Sequence, residues 1–297
     1  MDAAVAGAAA VGVGMAVALG AAMATRRRGG AQGERSSQDE AVRAVGGESP
    51  EAARLVRRFL EREEEGAVVL MASHMGSRLH GTSTPQSDTD IQVLFTPSLD
   101  RLALRRAVHQ STLSPPGKND SSSVDVSILS LQEALQRVCK FDMNAFELLC
   151  SLDAGSVLFA HPAVAHITLA LPSMVTRGLL SKILGFVSGH MKRQQNKPGL
   201  DERQRFKSLA HALRALRQAE EILTTGRIRY PLACADELLE VKTGTLPMEG
   251  VLARIAEGEA RVRDLLQGER AFASPEDAEA VADEVAMRVL REVGVMR

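Results

Sequence analysis

Cysteine, aromatic residues and net charge are all scarce in this chain, and each scarcity argues against a class of protein. The three cysteines, Cys139, Cys150 and Cys234, have neither metal-ligand spacing nor an even-numbered disulfide framework, so they are expected to be reduced thiols. With no Trp and one Tyr, a row of base-stacking platforms of the single-strand-binding type is not expected. The formal net charge of -1 gives no strong bulk attraction for nucleic acid or anionic membrane. Any phosphate must therefore be bound by a local cluster of basic residues.

What the chain has is length and apolar content, since its 297 residues are 45% hydrophobic, enough for one large or two modest domains. Short apolar runs of strand length at 67–71, 90–95 and 124–129 alternate with helical patterns, whereas after Pro162 only helical periodicity remains. The pattern predicts an α+β fold, with a small mixed-sheet domain followed by an all-α domain. The predicted division of the chain is an apolar leader (1–28), a flexible linker (29–50), an α/β domain (51–160) and a helical domain (161–297).

The leader has more than one reading. Residues 3–24 form an uncharged run rich in Ala, Gly and Val, followed by Arg26, Arg27 and Arg28. As a helix this run would span about 33 Å at roughly 1.5 Å per residue, enough for a hydrocarbon core of about 30 Å. Its many Ala and Gly residues make insertion marginal. Three alternatives stay open: a membrane anchor with a cytoplasmic-facing basic flank, an organelle import sequence, and a disordered leader.

Two aspartates at the start of a predicted strand carry the chemical signal. Asp88 and Asp90 stand two residues apart, so within a strand their side chains share one face. Like charges that close repel unless a cation lies between them, and Mg²⁺ (or Mn²⁺) is the natural cation for carboxylate oxygens. Asp125 lies on the next predicted strand, 124–129, and would complete a three-carboxylate metal cluster. Asp-x-Asp pairs are common, however, and most are caps, turns or solvated strand ends.

A Gly-Ser turn precedes this pair by ten residues. Gly76 permits close approach of the backbone to a phosphate, and the amides that follow it, with the Ser77 hydroxyl, would bind the β and γ phosphates of a nucleotide. Arg78 and His80 flank the turn and are expected to add positive charge. The order strand, Gly-Ser, loop, Ser-Asp-x-Asp, strand is much less common than an isolated Asp-x-Asp.

The segment GSRLHGTSTPQSDTDIQVLF resembles the nucleotidyltransferase signature of the DNA polymerase beta superfamily. More narrowly, it resembles the RNA repair pathway DNA polymerase beta family. The residues that carry the first motif are Gly76, Ser77, Arg78, Gly81, Ser87, Asp88 and Asp90. Weaker matches are Asp125, an Asn-x-x-Glu-Leu-Leu helix from Asn144, and Lys207, His211 and Arg214 ahead of Thr225-Gly226. Where family members usually carry an aromatic residue after the first Arg, this chain has Leu79-His80.

Lys207, His211 and Arg214 occupy positions i, i+4 and i+7, so they share one helix face. A basic stripe of this kind can simply be solvated. The resemblance implies instead that it faces the triphosphate or the acceptor, in a cleft between the two domains. Glu147, inside an apolar helix, is expected to be a buried, hydrogen-bonded structural carboxylate.

The resemblance implies an enzyme, a metal-dependent nucleotidyltransferase that moves a nucleoside monophosphate from an NTP to a hydroxyl. Asp88, Asp90 and Asp125 would be both catalytic and metal-binding, and the nucleotide-binding residues would be Gly76, Ser77, Arg78, Lys207, His211 and Arg214. The family name suggests an RNA end as acceptor. Transfer to a protein or a small molecule is an alternative, and so is a non-catalytic NTP-sensing interaction protein on the same scaffold.

Overall fold

The structure is a computed structural model. It describes residues 30–62, 66–85, 87–104, 107–113, 124–196, 199, 201–268 and 272–296. The apolar run at 3–24 lies outside these residues, and so do the three readings of it. No helix in the described part of the chain is long and apolar enough to cross a membrane.

Residues 30–160 hold all five strands, and the rest of the described chain is helical. The elements of the first part are α1 (Gly30–Glu48), α2 (Pro50–Arg62), β1 (Val68–His74), α3 (Gly76–His80), β2 (Thr89–Thr96), α4 (Leu99–Ala103), β3 (Gln110–Leu113), β4 (Val124–Ser130), α5 (Leu131–Cys139), α6 (Met143–Cys150) and β5 (Val157–Ala160). Those of the second part are α7 (Val164–Ala170), α8 (Gly178–Asn196), α9 (Glu202–Thr225), α10 (Ala235–Thr243), α11 (Met248–Gln267) and α12 (Pro275–Glu292). The predicted α+β fold, with a mixed sheet followed by helices, is confirmed.

The sheet has the strand order β3-β4-β2-β1-β5. The pair β2 and β4 is parallel, and the other neighbouring pairs are antiparallel. The three predicted strands are the central ones. Side chains from the two faces of the sheet enter two separate apolar clusters. Ile91 and Val93 pack with α1 and α2, whereas Leu94 and Leu129 belong to a cluster that contains α5, α6 and the helices of the second part. The second cluster runs without a break across residue 160, so the proposed division there remains a prediction.

One prediction is wrong. Residues 30–48, expected to be part of a flexible linker, form helix α1. Its side chains Ala41, Val42 and Val45 are buried against the sheet, and Gln38 donates a side-chain hydrogen bond to the carbonyl of Ala67. Burial of this apolar stripe outweighs the poor helix propensity of the Gly- and Ser-rich sequence, because most helix stability in proteins comes from tertiary packing.

The helices of the second part begin and end at recognisable signals. The Asp201 carboxylate accepts a hydrogen bond from the Gln204 amide and caps the start of α9, and Gly226 ends that helix in the left-handed conformation with φ 81°. Ser274 caps α12 in the same manner, with Pro275 in its first turn. Helix α9 is the central one, because it packs against α8, α10 and α11.

Candidate active site

The register of two parallel strands brings two of the predicted carboxylates together. Asp90 on β2 is the direct neighbour of Asp125 on β4. Because side chains alternate along a strand, Asp90 shares its face with Leu94, and Asp125 shares its face with Leu129. Both leucines belong to the core cluster of the helical part. The two aspartates therefore lie on the sheet face opposite α1 and α2. Asp88 is exposed just ahead of β2.

The charges around Asp90 are mostly of its own sign. Partial burial raises the pKa of the Asp90 carboxyl, and the nearby charges of Asp88 and Asp125 raise it further, while Lys207 opposes them. Across the described residues, no group of three or more His, Cys, Asp and Glu side chains is arranged to hold a metal ion. The two neighbouring aspartates nevertheless suit a divalent cation, since Mg²⁺ is usually held by one or two carboxylates together with substrate phosphates.

Gly76 begins α3 directly against this pair. Its φ is +60°, and a Cβ added there would lie 2.5 Å from Oδ2 of Asp90. The Met75 amide also donates to the Asp90 carbonyl at 2.9 Å. The glycine thus makes room for a carboxylate of the site, a role that the sequence did not suggest. Ser77 is partly buried and Arg78 is exposed beside the same turn.

His80, at the end of α3, corrects another expectation. Its side chain is buried, and burial lowers the pKa of the imidazole, so it is neutral and adds no positive charge. Its Nε2 lies 3.2 Å from Oε1 of Glu147. The Nη1 atom of Arg214 lies 2.9 Å from His80 Nδ1 and 3.2 Å from the same Glu147 oxygen. His80 therefore ties the Gly-Ser turn to helices α6 and α9.

Glu147 is the centre of this buried network, as predicted for a hydrogen-bonded structural carboxylate. Burial alone would raise the pKa of its carboxyl, but the charge of Arg214, together with hydrogen bonds from His80 and Gln218, outweighs burial and lowers the pKa to about 2. Gln218 Nε2 donates to Glu147 Oε1 at 2.8 Å. Arg214 is thus engaged with Glu147 and His80 through Nη1.

The predicted basic face of α9 spreads over three environments. Lys207 is exposed, and its charge lowers the pKa of Asp90. His211 is partly buried one turn further on, and burial together with the charge of Arg214 lowers its pKa to about 3. Arg214 is held in the Glu147 network. The face turns toward the sheet part of the chain, and its nucleotide-binding role remains a prediction.

One family of known proteins matches most of this chain. The sequence pattern of the RNA repair pathway DNA polymerase beta family matches residues 53–266. The chain belongs to this family. The match includes every strand and every residue of the predicted site. A search of curated proteins found no match. The crystal structure of a nucleotidyltransferase-like protein from Exiguobacterium sibiricum 255-15 is similar at 13% sequence identity and a TM-score of 0.27, covering 80% of this chain and 79% of the other.

In this family member Lys242 lies at the candidate site, although the sequence pattern did not indicate it. Its Nζ donates to the carbonyl of Thr82 at 3.1 Å, in the loop between the Gly-Ser turn and Asp88. Partial burial lowers the pKa of the Lys242 ammonium, and the charges of Lys207 and Arg203 lower it further, whereas the charge of Asp88 raises it. A second cation therefore stands beside Lys207 at the carboxylates. The sequence signal was weak, since Lys242 is an ordinary last-turn lysine ahead of Gly244.

Proposed function

We propose that this protein is a metal-dependent nucleotidyltransferase that moves a nucleoside monophosphate from an NTP to a hydroxyl acceptor. The observation that carries the proposal is the neighbouring pair Asp90 and Asp125, flanked by Asp88 and faced by Lys207. Carboxylates crowded until the pKa of one rises are typical of sites that receive a cation. Membership of a nucleotidyltransferase family makes a nucleotide the substrate to test first.

Each side chain has a distinct part in the reaction. The acceptor oxygen bonds to the α-phosphorus as the bond to the bridging α–β oxygen breaks, and pyrophosphate leaves. Asp125 receives the proton of the attacking hydroxyl, and Asp88 and Asp90 would hold Mg²⁺ or Mn²⁺. When bound, the metal supplies charge neutralisation at the attacking and leaving oxygens. Lys207 and Lys242 bind the triphosphate from the helical side, while Gly76, Ser77 and Arg78 bind it from the sheet side.

The acceptor is proposed to be an RNA end, in keeping with the family. A net charge of -1 gives the protein little general attraction for RNA, so recognition would depend on contacts near the site. Protein hydroxyls and small molecules belong in the same assay.

The test is transfer of an α-³²P-labelled nucleotide. The full chain is incubated with each NTP in turn, Mg²⁺ or Mn²⁺, and RNA, protein or small-molecule acceptors. Label should join an acceptor with the wild-type protein and fail to do so with Asp90→Asn. Asp100→Asn, which changes an exposed carboxylate on α4, is the matched control and should transfer normally.

Lys207→Ala and Lys242→Ala should each raise the NTP concentration required roughly tenfold, because a charge-assisted contact contributes about 1.5–3 kcal/mol. Lys140→Ala, at an exposed lysine directly after the end of α5, should not. If the wild type bound NTPs but transferred label to no acceptor, the protein would be an NTP sensor and not an enzyme. Full transfer by Asp90→Asn would refute the assignment of the site.

A further inference from the structure

Three rings form a short row across helices α8 and α9. The centroids of Phe186 and His190 are 4.4 Å apart, and those of His190 and His211 are 5.5 Å apart. Ser208 fixes the middle ring, since its Oγ lies 3.0 Å from His190 Nδ1 and also donates to the His190 carbonyl. Both imidazoles have lowered pKa values, mainly from burial, and so are neutral near pH 7. The row is thus a series of three uncharged rings, tilted to one another by 51° and 37°.

The outer end of this row is open. Phe186 is 44% exposed, in a chain whose other phenylalanines are all buried or partly buried. Gly185 and Gly189 adjoin it on α8, and a Cβ added at either glycine would meet nothing within 4 Å. Glycine is one of the least favourable residues inside a helix, so two of them beside one exposed ring are not explained by helix stability. Because neither glycine has a side chain, the helix surface beside the Phe186 ring stays uncovered.

Positive charge borders the exposed ring. Lys182 lies one turn before Phe186 and Arg193 lies two turns after it, and both are exposed. Helical spacing puts them on the same side of α8 as Phe186. An isolated exposed apolar residue is ordinary, but a ring backed by two ordered rings and bordered by cations matches an anionic ligand with a flat aromatic group.

The inner end of the row reaches the candidate active site. His211 follows Lys207 by one turn of α9, roughly 6 Å at about 1.5 Å per residue. Lys207 in turn acts on Asp90, and the charges of Lys207 and Arg214 act on His211. The ring row therefore begins where the proposed triphosphate site ends. In a nucleotide the base is joined to its phosphates through one sugar, so a base site must lie beside the phosphate site.

We propose that Phe186, backed by His190 and His211, is the stacking surface for the base of the NTP whose phosphates lie at Asp90 and Lys207. The inference rests on the proposed function and adds a base site to it. Stacking accepts any of the four bases, since each has a π face. Scarce aromatics argue against a series of such platforms along a nucleic acid, but one nucleotide requires only one.

The test is binding, measured by calorimetry on the full chain with Mg²⁺ present, for each of the four NTPs and for inorganic tripolyphosphate, which has no base. Phe186→Ala should weaken binding of the NTPs at least fivefold, since base–aromatic stacking is worth roughly 1–3 kcal/mol. Tripolyphosphate binding should be unchanged, and Phe186→Tyr should bind NTPs as the wild type does. Gly189→Leu should also weaken NTP binding, by covering the open surface without displacing a neighbour.

Leu169→Ala is the matched control, because it truncates an apolar side chain that is 75% exposed on α7. Unchanged NTP binding by Phe186→Ala would overturn the base site alone, provided that tripolyphosphate still binds the wild type and binds Lys207→Ala more weakly. If the wild type bound neither NTPs nor tripolyphosphate, the proposed function and the base site would be overturned together. If Phe186→Ala bound a single-stranded RNA more weakly while its NTP binding stayed intact, the surface would belong to the acceptor and the proposal would be contradicted.

Discussion

Two acidic groups, one around Asp90 on the sheet and the other at Glu147 on α6, lie on the same side of the sheet, and their surroundings are opposite. Asp90 faces other carboxylates, and its pKa is raised by burial and by Asp88 and Asp125. Glu147 is surrounded by donors from Arg214, His80 and Gln218, and its pKa is lowered to about 2. A carboxylate that the protein has neutralised is part of the architecture. One that the protein leaves beside like charges is suited to an external cation, which is the physical difference between a structural and a ligand-binding acid.

The largest effect on stability should come from breaking the hydrogen-bonded network of Glu147. Glu147→Gln removes the buried charge that compensates the partly buried Arg214 and should lower the free energy of unfolding by about 3 kcal/mol, since breaking a buried pair leaves an uncompensated charge. Urea denaturation at pH 7 measures this. Because the pKa of Glu147 in the folded protein lies below its ordinary value of 4.5, the stabilisation is present above pH 4.5 and is lost as the pH falls toward 2.

The control for Glu147 is Glu133→Gln, which breaks a half-buried i,i+4 pair with Arg137. It should cost less than about 0.5 kcal/mol. A loss below about 1 kcal/mol for Glu147→Gln would mean that the network is not the structural counterpart of the Asp90 group.

A smaller effect is expected where backbone and carboxylate meet. Gly76→Ala places a Cβ 2.5 Å from Asp90 Oδ2 at a φ of +60°, so either the carboxylate or the turn must move. Strain of this kind costs about 1–3 kcal/mol, and transfer activity should fall together with stability. Gly155→Ala, whose added Cβ would meet nothing within 4 Å, is the comparison and should be nearly neutral. Wild-type transfer by Gly76→Ala would separate the turn from the site.

The sequence predicted the central sheet because its three inner strands are apolar runs, and strand order was enough to pair Asp90 with Asp125. The two outer strands, Gln110–Leu113 and Val157–Ala160, were missed because four residues are too few to show a period. Helix α1 was missed because its composition is that of a linker, and only packing on the sheet makes it helical. Lys242 and Thr82 are 160 residues apart, and Arg214 and Glu147 are 67 apart. Nothing local marks such pairs.

The smallest expected effect has the opposite sign to that of Glu147. An acid whose folded pKa is raised binds its proton more tightly when folded, so the charged form destabilises the fold as the pH rises through the raised pKa. Asp90→Asn should therefore stabilise the metal-free protein at pH 7, by about 0.5 kcal/mol, because Asp90 is partly exposed and solvent screens its neighbours. The gain should vanish as the pH falls below 3.8, the ordinary pKa of an aspartate, where the wild-type carboxyl is protonated in both the folded and the unfolded state. Thermal unfolding in EDTA measures this, and saturating Mg²⁺ should reverse the order by stabilising only the wild type. Asp100→Asn, at an exposed carboxylate, is the control and should not change its stability order relative to the wild type when Mg²⁺ is added. If Asp90→Asn were instead less stable than the wild type in EDTA, Asp90 would be a satisfied structural acid like Glu147, and the contrast between the two groups would fail.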